Sequence, residues 1–333
     1  MKHNYKIIDL FSGAGGFSRG FEEAGFKSIL AVENHPAVSK TYKENFPNAV
    51  VLSEDIKRIN IDVISNYVEQ PKNIDVIIAS PPCEPFTGAN PKRQKHPIDR
   101  LYRDPAGQLF LHAIRIIGEI QPRIFFIENV KGILVNEVKN AIRRELVRYG
   151  YKNVYFNVLK AEDHGVPSKR TRVFVSNIQL DLEKEPQVTV EEALEGLPPP
   201  GSPYPPNHEY TTLSPSKTKK LEYLKWGKSL IKYTGAGGRK LPNLIRLDPR
   251  HPAPTVLGSS QFIHPYENRL LTVREQARLM GFPDYHVFLG SKDVQYNQVG
   301  EAVPPPLAYM IARKAIVFLD DNIPNPLNSH RQR

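Results

Sequence analysis

Asp9-Leu10-Phe11-Ser12-Gly13-Ala14-Gly15-Gly16 (DLFSGAGG) follows the apolar run Tyr5–Leu10 directly and leads into a helical stretch reaching Phe21. Glycine lets a backbone turn tightly and come close to a ligand without a side-chain clash. A strand, a glycine turn and a helix in that order open an α/β unit. The dinucleotide fingerprint asks for a further glycine three residues after the second. Ser18 holds that place, so the match fails where a pyrophosphate would lie.

Outward from this turn the alternation continues. Ser28–Val32 reads as a second strand, Pro36–Asn45 as a helix and Val50–Leu52 as a strand-like segment. Ile74–Ala79 and Ile124–Ile127 are nearly continuous apolar strands. Leu134, Val138, Ile142 and Leu146 recur at four-residue steps, one face of a helix turned to a core. Apolar strands separated by helices predict a parallel sheet covered on both faces.

Glu33 ends the second strand, twenty residues after Gly13. An acid there accepts hydrogen bonds from ribose hydroxyls. Asp55 and Ile56 follow Val50–Leu52, where a carboxyl faces an adenine amino group. Taken in order, these positions suggest an adenosine-containing ligand without phosphates.

The strand Ile74–Ala79 runs into Ser80-Pro81-Pro82-Cys83-Glu84-Pro85-Phe86-Thr87. Open α/β sheets place ligands at this carboxyl end of a strand. A lone cysteine is commonly a small buried hydrophobe. Cys83 instead sits in a loop fixed by two preceding prolines, outside the apolar run, and is the candidate nucleophile. Glu128-Asn129 closes the fourth strand at the same edge. A carboxyl buried there would have a raised pKa and hold a proton for donation. Arg170 and Arg172 lead into the strand Val173–Ser176, two residues apart and therefore on one face of an extended chain. Paired guanidinium groups suit a base carbonyl or a phosphate.

Near residue 180 the pattern changes. Pro198, Pro199, Pro200, Pro203, Pro205 and Pro206 crowd around Gly201, a density no helix or central strand tolerates. It marks a rigid connection into a second domain. Residues 201–250 hold ten Lys or Arg against three Asp or Glu and lack clean periodicity. Thr272 with Glu275 forms a capping-box signature for a helix through Met280, and Pro304–Phe318 reads as a final helix. The division expected is a catalytic domain over 1–179, completed by about 290–333, and a smaller recognition domain over 180–289.

The whole chain of 333 residues carries a net charge of +10 and a pI near 9.4, which suits a polyanionic partner. One cysteine excludes an intrachain disulfide and a thiolate zinc cluster, and no metal is expected. No uninterrupted apolar run approaches the roughly 18 residues of a spanning helix, so neither a membrane nor a secretion segment is expected and the location expected is cytoplasmic.

With these segments in place the chain resembles the cytosine-5 DNA methyltransferases. DLFSGAGG, PPCEPFTGAN, ENV, GVPSKRTRVF, RLLTVREQARLMGFPD and QVGEAVPPP occur in that family's order, from Asp9 to about Pro306. The resemblance implies a Rossmann-like methyltransferase sheet with helices on both faces and a smaller target-recognition domain. It implies S-adenosylmethionine as cofactor, held by Phe11, Gly13, Gly15, Glu33, Asp55, Ile56, Pro81, Glu301 and Ala302. It gives Cys83 as the nucleophile, Glu128 as the acid at ring nitrogen 3, Arg172 at the cytosine carbonyl and Arg170 in support. Residues 88–103 become a mobile loop whose Lys92, Arg93, Lys95, Arg100 and Arg103 contact phosphates. Thr87, Arg239, Lys240, Asn243 and Arg246 are further candidate DNA contacts, while Tyr223, Trp226 and Tyr233 are expected to pack in a core.

The sequence departs from the family at Glu84 and Glu301, where amides are usual; Glu84 is expected to point away from the thiol. The implied partner is double-stranded DNA, with a cognate restriction endonuclease sharing its target, and the implied state is a monomer. The competing readings are a transfer RNA cytosine-5 methyltransferase and a non-catalytic DNA-binding protein on the same fold.

Overall fold

The computed structural model describes residues 4–211, 213–234, 238, 240–258 and 261–321. Seven strands form the main sheet: β1 (Lys6–Leu10), β2 (Lys27–Val32), β3 (Val50–Leu52), β4 (Val76–Ala79), β5 (Ile124–Asn129), β6 (Tyr155–Lys160) and β7 (Thr171–Ser176). Their order is β3-β2-β1-β4-β5-β7-β6. The helices between them are α1 (Gly16–Glu23), α2 (Pro36–Asn45), α3 (Ile61–Ser65), α4 (Asp99–Tyr102), α5 (Gln108–Ile120) and α6 (Asn136–Arg148).

Successive side chains of a strand point to opposite faces, and here both faces are buried. Ile8, Leu10, Ile77, Ala79, Phe125 and Ile127 pack against α5 and α6. Ile7, Val76, Ile78, Ile124 and Phe126 face the other way, against Phe17 and Phe21 of α1. That double burial explains why the strands read as apolar runs.

The expectation of a wholly parallel sheet needs correction at one edge. β7 runs antiparallel to both β5 and β6, because the short connection 161–170 returns the chain beside the strand it has just left. The reversal brings Arg172 to the end of the sheet where β5 presents Glu128.

Downstream lie α7 (Val190–Leu194), α8 (Pro215–Leu221), β8 (Ser229–Thr234), β9 (Lys240–Arg246), β10 (Phe262–Ile263), α9 (Val273–Arg278), α10 (Lys292–Glu301) and α11 (Pro305–Asp321). β8, β9 and β10 form a separate three-stranded sheet over a small cluster of Leu221, Leu244, Ile263 and Leu270. The capping box of Thr272 and Glu275 is formed as expected, with both reciprocal bonds.

The final helix returns to the main sheet. Its contact with α1 is so close that a Cβ at Gly20 would fall 2.4 Å from the Pro305 carbonyl and 2.5 Å from the Tyr309 nitrogen. By length and composition alone, the helical stretch Lys292–Asp321 is apolar enough to cross a membrane. Its apolar side is nevertheless core: Leu307, Ala308, Ile311 and Ala315 are fully buried against α1 and the sheet.

Candidate active site

The loop that carries Cys83 leaves β4 with the Ser80 N–H donating to the Leu10 carbonyl, 3.1 Å. Asn129, fully buried on β5, donates its Nδ2 to the Pro81 carbonyl at 3.1 Å. The Cys83 carbonyl accepts from the N–H groups of Phe86 and Thr87, both at 3.0 Å. A turn held at both ends presents the thiol, which is partly exposed and unoxidised.

Glu128 is 6% exposed. Its Oε1 lies 2.8 Å from Arg172 Nε, so the carboxylate is paired with a guanidinium rather than isolated. Arg172 Nη1 also donates to the Thr171 carbonyl, 2.9 Å.

Arg170 has a different place from the one its neighbour takes. It is 3% exposed, and Nη1 donates to the carbonyls of Val256 at 3.0 Å and Gly300 at 2.9 Å. Nη2 reaches the Glu301 carbonyl at 3.4 Å. Arg170 therefore ties the sheet edge beside Cys83 to the segments 256 and 300–301. Glu301 enters this arrangement through its backbone, and Ala302 packs where a Cβ on Gly16 would touch it.

The charges act on one another. Burial, then Glu128 and Glu84, push the Cys83 thiol up to about 11, against the opposing pull of Arg172 and Arg170. Glu84 is exposed, yet its charge still reaches the sulfur. Burial, together with Arg172, brings the Arg170 guanidinium down to about 9.

Beside the thiol loop a pocket is lined by Phe11, Val32, Glu33, Asn34, Glu54, Asp55, Ile56, Pro82 and Leu109. Glu33 accepts from the Gly13 N–H at 3.1 Å and from the His35 N–H at 2.8 Å, and burial raises its pKa. Asp55 Oδ1 accepts from the Lys57 N–H, 3.0 Å. Phe11, Gly13 and Gly15 all have positive φ. Gly15 has no room for a Cβ because the Phe46 ring would lie 2.2 Å away, whereas Gly13 faces open space.

This lining tests the implied cofactor. Apolar walls from Val32, Ile56, Pro82 and Leu109 suit a flat heteroaromatic ring, and Glu33 suits vicinal hydroxyls. Three carboxylates and no lysine or arginine among the lining residues suit a cationic adenosine derivative and disfavour phosphates. The residues fit S-adenosylmethionine. Of the expected contacts, Phe11, Glu33, Asp55 and Ile56 line the pocket. Pro82 does so in place of Pro81, which is buried and occupied with Asn129. Val32, Asn34, Glu54 and Leu109 were not anticipated; Leu109 comes from α5, whose distance in sequence from the glycine turn gave no cue. A larger cavity of about 520 Å³ among Tyr151, Lys152, Tyr155, Lys314 and Asp321 includes none of Cys83, Glu128 and Arg172.

The candidate DNA contacts divide. Lys92 and Lys95 are exposed and Arg93 is partly so, and Thr87 sits in the turn after the thiol. Arg100 is a correction: it is 8% exposed, and Nε and Nη2 donate to the carbonyls of Gln94 and Lys95 at 2.8 and 3.1 Å. It braces the loop from inside. Arg103 is exposed and pairs with Asp99.

Arg246 is the second correction. It is 6% exposed, and its guanidinium donates to the carbonyls of His264, Glu267 and Leu221 at 3.0, 3.0 and 2.8 Å and to Asn268 Oδ1 at 2.6 Å. Both terminal guanidinium nitrogens are filled from within the protein, while the buried Nε has no partner. Asn243 Oδ1 is taken by the Leu244 N–H at 2.8 Å, and Lys240 Nζ donates to Thr234 Oγ1 at 2.6 Å. Arg239 lies outside the described residues.

The aromatic expectation also changes: Tyr223 is 85% exposed and Trp226 40%, because the small cluster beneath them is filled by leucines. Lys217, Lys219, Lys220, Lys225, Lys228 and Lys232 are exposed. Among the described residues the lysine ion pairs are Lys184–Asp163 and Lys292–Glu209, so these six stand unpaired.

The sequence model of a family described as C-5 cytosine-specific DNA methylase matches residues 5–316. The chain is 48% identical over 314 residues to the protein designated M.MJ0563P of Methanocaldococcus jannaschii, covering 92% of this chain and 98% of that one. It is 36% identical over 337 residues to the type II methyltransferase M1.HphI of Haemophilus parahaemolyticus, covering 95% and 87%. Among solved structures, a protein encoded within a prophage (E. coli) superposes with a TM-score of 0.75 at 28% identity, covering 96% of this chain and 100% of that one. A DNMT2 mutant from Spodoptera frugiperda gives 0.65 at 20% identity, covering 94% and 100%, a likeness of fold alone.

Proposed function

The chain belongs to the C-5 cytosine-specific DNA methylase family and is a DNA (cytosine-5-)-methyltransferase; from that premise we propose that Cys83 adds to carbon 6 of a cytosine extruded from duplex DNA. The observation that carries this reading is the convergence of Cys83, Glu128 and Arg172 at one sheet edge, with the Arg172–Glu128 pair at 2.8 Å, beside an acidic pocket that fits an adenosine. Phe11, Glu33, Asp55, Ile56 and Pro82 would hold S-adenosylmethionine, which when bound supplies an electrophilic methyl group.

The remaining steps belong to the chain's own residues. Carbon 6 lies inside a stacked duplex, so the base must leave the stack. The thiol gives its proton to solvent as the sulfur–carbon bond forms. Negative charge then develops on the ring, and Glu128 stabilises it by a hydrogen bond or proton at ring nitrogen 3. Arg172 fixes the Glu128 carboxyl and faces the ring carbonyl. Addition makes carbon 5 electron-rich. Once carbon 5 carries its methyl group, loss of the carbon 5 proton to a water molecule and cleavage of the sulfur–carbon bond restore the ring double bond and return the free cysteine. Arg170 keeps the walls in place rather than touching the base.

The exposed loop cations Lys92, Arg93 and Lys95 and the recognition-region residues Lys240 and Asn243 are the proposed DNA contacts. Curated relatives bear type II methyltransferase names, which supports a restriction-modification setting with an endonuclease sharing the target sequence.

Cys83→Ala is expected to abolish incorporation of labelled methyl groups into cytosine-containing duplex while DNA binding survives. Duplex carrying 5-fluorocytosine at the target, located by bisulfite sequencing, should trap an adduct that peptide mapping places at Cys83. Undiminished incorporation by the alanine variant, or an adduct at another residue, overturns the assignment.

A further inference from the structure

Phe282-Pro283-Asp284-Tyr285-His286 follows α9 at the exit from the recognition region and has no part in the mechanism above. Its histidine is fully buried. His286 Nε2 lies 2.9 Å from the Ala14 carbonyl, in the middle of the glycine turn. A carbonyl only accepts, so Nε2 carries the proton and donates. Nδ1 is then a bare acceptor, buried and without a hydrogen-bond partner. Burial, and after it Arg19, push the imidazole down to about 3, which keeps it neutral.

The ring is held from several sides. Arg274 of α9, itself fully buried, donates to the carbonyls of Pro206 and Pro283 at 3.0 and 2.9 Å and to the His286 carbonyl. Phe282, Phe288 and Phe46 surround the imidazole at 4.8, 5.1 and 6.3 Å between ring centroids. The next residues are stitched to α2: Asn45 exchanges hydrogen bonds with Val287 at 2.8 and 2.9 Å, and Thr41 Oγ1 accepts from the Leu289 N–H at 2.8 Å. The imidazole therefore has a fixed frame from which to hold a loop. That loop needs holding: Phe11, Gly13 and Gly15 are all left-handed, and Gly15 is pressed on Phe46. The Gly13 N–H in turn meets Glu33, which lines the cofactor pocket.

We infer that His286 is a positioning residue for the cofactor: its donation to the Ala14 carbonyl holds the glycine turn in its binding shape and ties that turn to the frame at the recognition-region exit. The inference rests on reading the pocket at Phe11, Glu33 and Asp55 as the S-adenosylmethionine site.

Two variants separate the hydrogen bond from simple packing. His286→Phe keeps an aromatic ring among Phe46, Phe282 and Phe288 and removes the donor. His286→Gln keeps a donor near the Nε2 position and removes the ring. Titrating the full chain calorimetrically with S-adenosylmethionine alone, the phenylalanine variant should bind about tenfold more weakly, the effect of one lost hydrogen bond. The glutamine variant should stay within about threefold of wild type, and the DNA affinity of the phenylalanine variant should match wild type. Equal cofactor affinity in wild type and His286→Phe overturns the inference and leaves the cofactor reading intact. Equal losses in both variants, or a parallel loss of DNA affinity, overturn it in favour of a packing role. If wild type itself fails to bind S-adenosylmethionine, the cofactor reading falls and the inference with it.

Discussion

Arg170 at the catalytic edge and Arg246 in the recognition sheet are built alike: each is almost fully buried and gives its guanidinium to backbone carbonyls. What surrounds them differs. Around Arg170 stand Arg172, Glu128, Cys83 and Glu301, close enough that each alters the protonation of another. Around Arg246 the neighbours are backbone and an amide, and burial alone lowers its pKa. The catalytic edge is a set of interacting charges on a rigid sheet. The recognition sheet has one internal cation that holds it together and an outer layer of unpaired lysines. In such a sheet, the arginine is the scaffold, and the cations left without an internal partner are the lysines.

The largest expected effect tests that division. Arg246→Met removes donors from three carbonyls and from Asn268. At about 1 kcal/mol or more for each bond to a charged donor, the variant should lose about 4 kcal/mol of local stability. Hydrogen exchange should show β8–β10 opening, DNA binding should fall, and S-adenosylmethionine binding should persist. A variant that keeps its protection pattern yet loses DNA binding would restore Arg246 as a DNA contact and erase the contrast with Lys240.

The catalytic edge supplies the next. With the thiol pushed up from 9 to about 11, the thiolate fraction at pH 8 is about 100-fold below that of an ordinary cysteine, because each pH unit below the pKa is a factor of ten. Iodoacetamide should alkylate Cys83, the chain's one cysteine, more slowly by that factor, and the rate should climb with pH until about 11. Glu84→Gln removes one of the two carboxylates that raise the thiol, and the rate at pH 8 should increase several-fold. A rate already level at pH 8 would show that Arg170 and Arg172 outweigh burial and the carboxylates.

These contrasts also explain what could be read before any coordinates. The glycine turn, the apolar strands and the Thr272–Glu275 capping box are local signals, and each matches the structure within a few residues. Cys83, Glu128 and Arg172 could be brought together because all three lie at strand ends of one sheet. β7's reversal was hidden, since a strand's direction is set by the chain returning through residues 161–170 and not by its own residues. Burial of Arg100, Arg246 and Arg170 was hidden for a similar reason. Their carbonyl partners are backbone groups, which look the same under every side chain. The recognition sheet left no period-two pattern, because β8 fully buries none of its residues and its three-stranded sheet covers only a small apolar cluster. Pro81 and Pro82 were indistinguishable in sequence; in the structure Pro82 lines the pocket while Asn129 holds the Pro81 carbonyl.

The smallest effect concerns the outer lysines and sharpens the comparison most finely. Lys217, Lys219 and Lys220 of α8 with Lys225, Lys228 and Lys232 beyond it have no acidic partner to release, so any phosphate they meet releases a counterion. Each one that contacts DNA adds about 0.9 to the slope of log affinity against log salt. Replacing Lys232 by glutamine should weaken binding a few-fold at about 0.1 M salt and reduce the slope by about that amount, equally for target and non-target duplex. Lys184→Gln, which removes a lysine already paired with Asp163, is the control and should change neither. Equal slopes for all three proteins would place the DNA against another face of the recognition region. A slope lost only with the target sequence would instead make Lys232 a reader of bases.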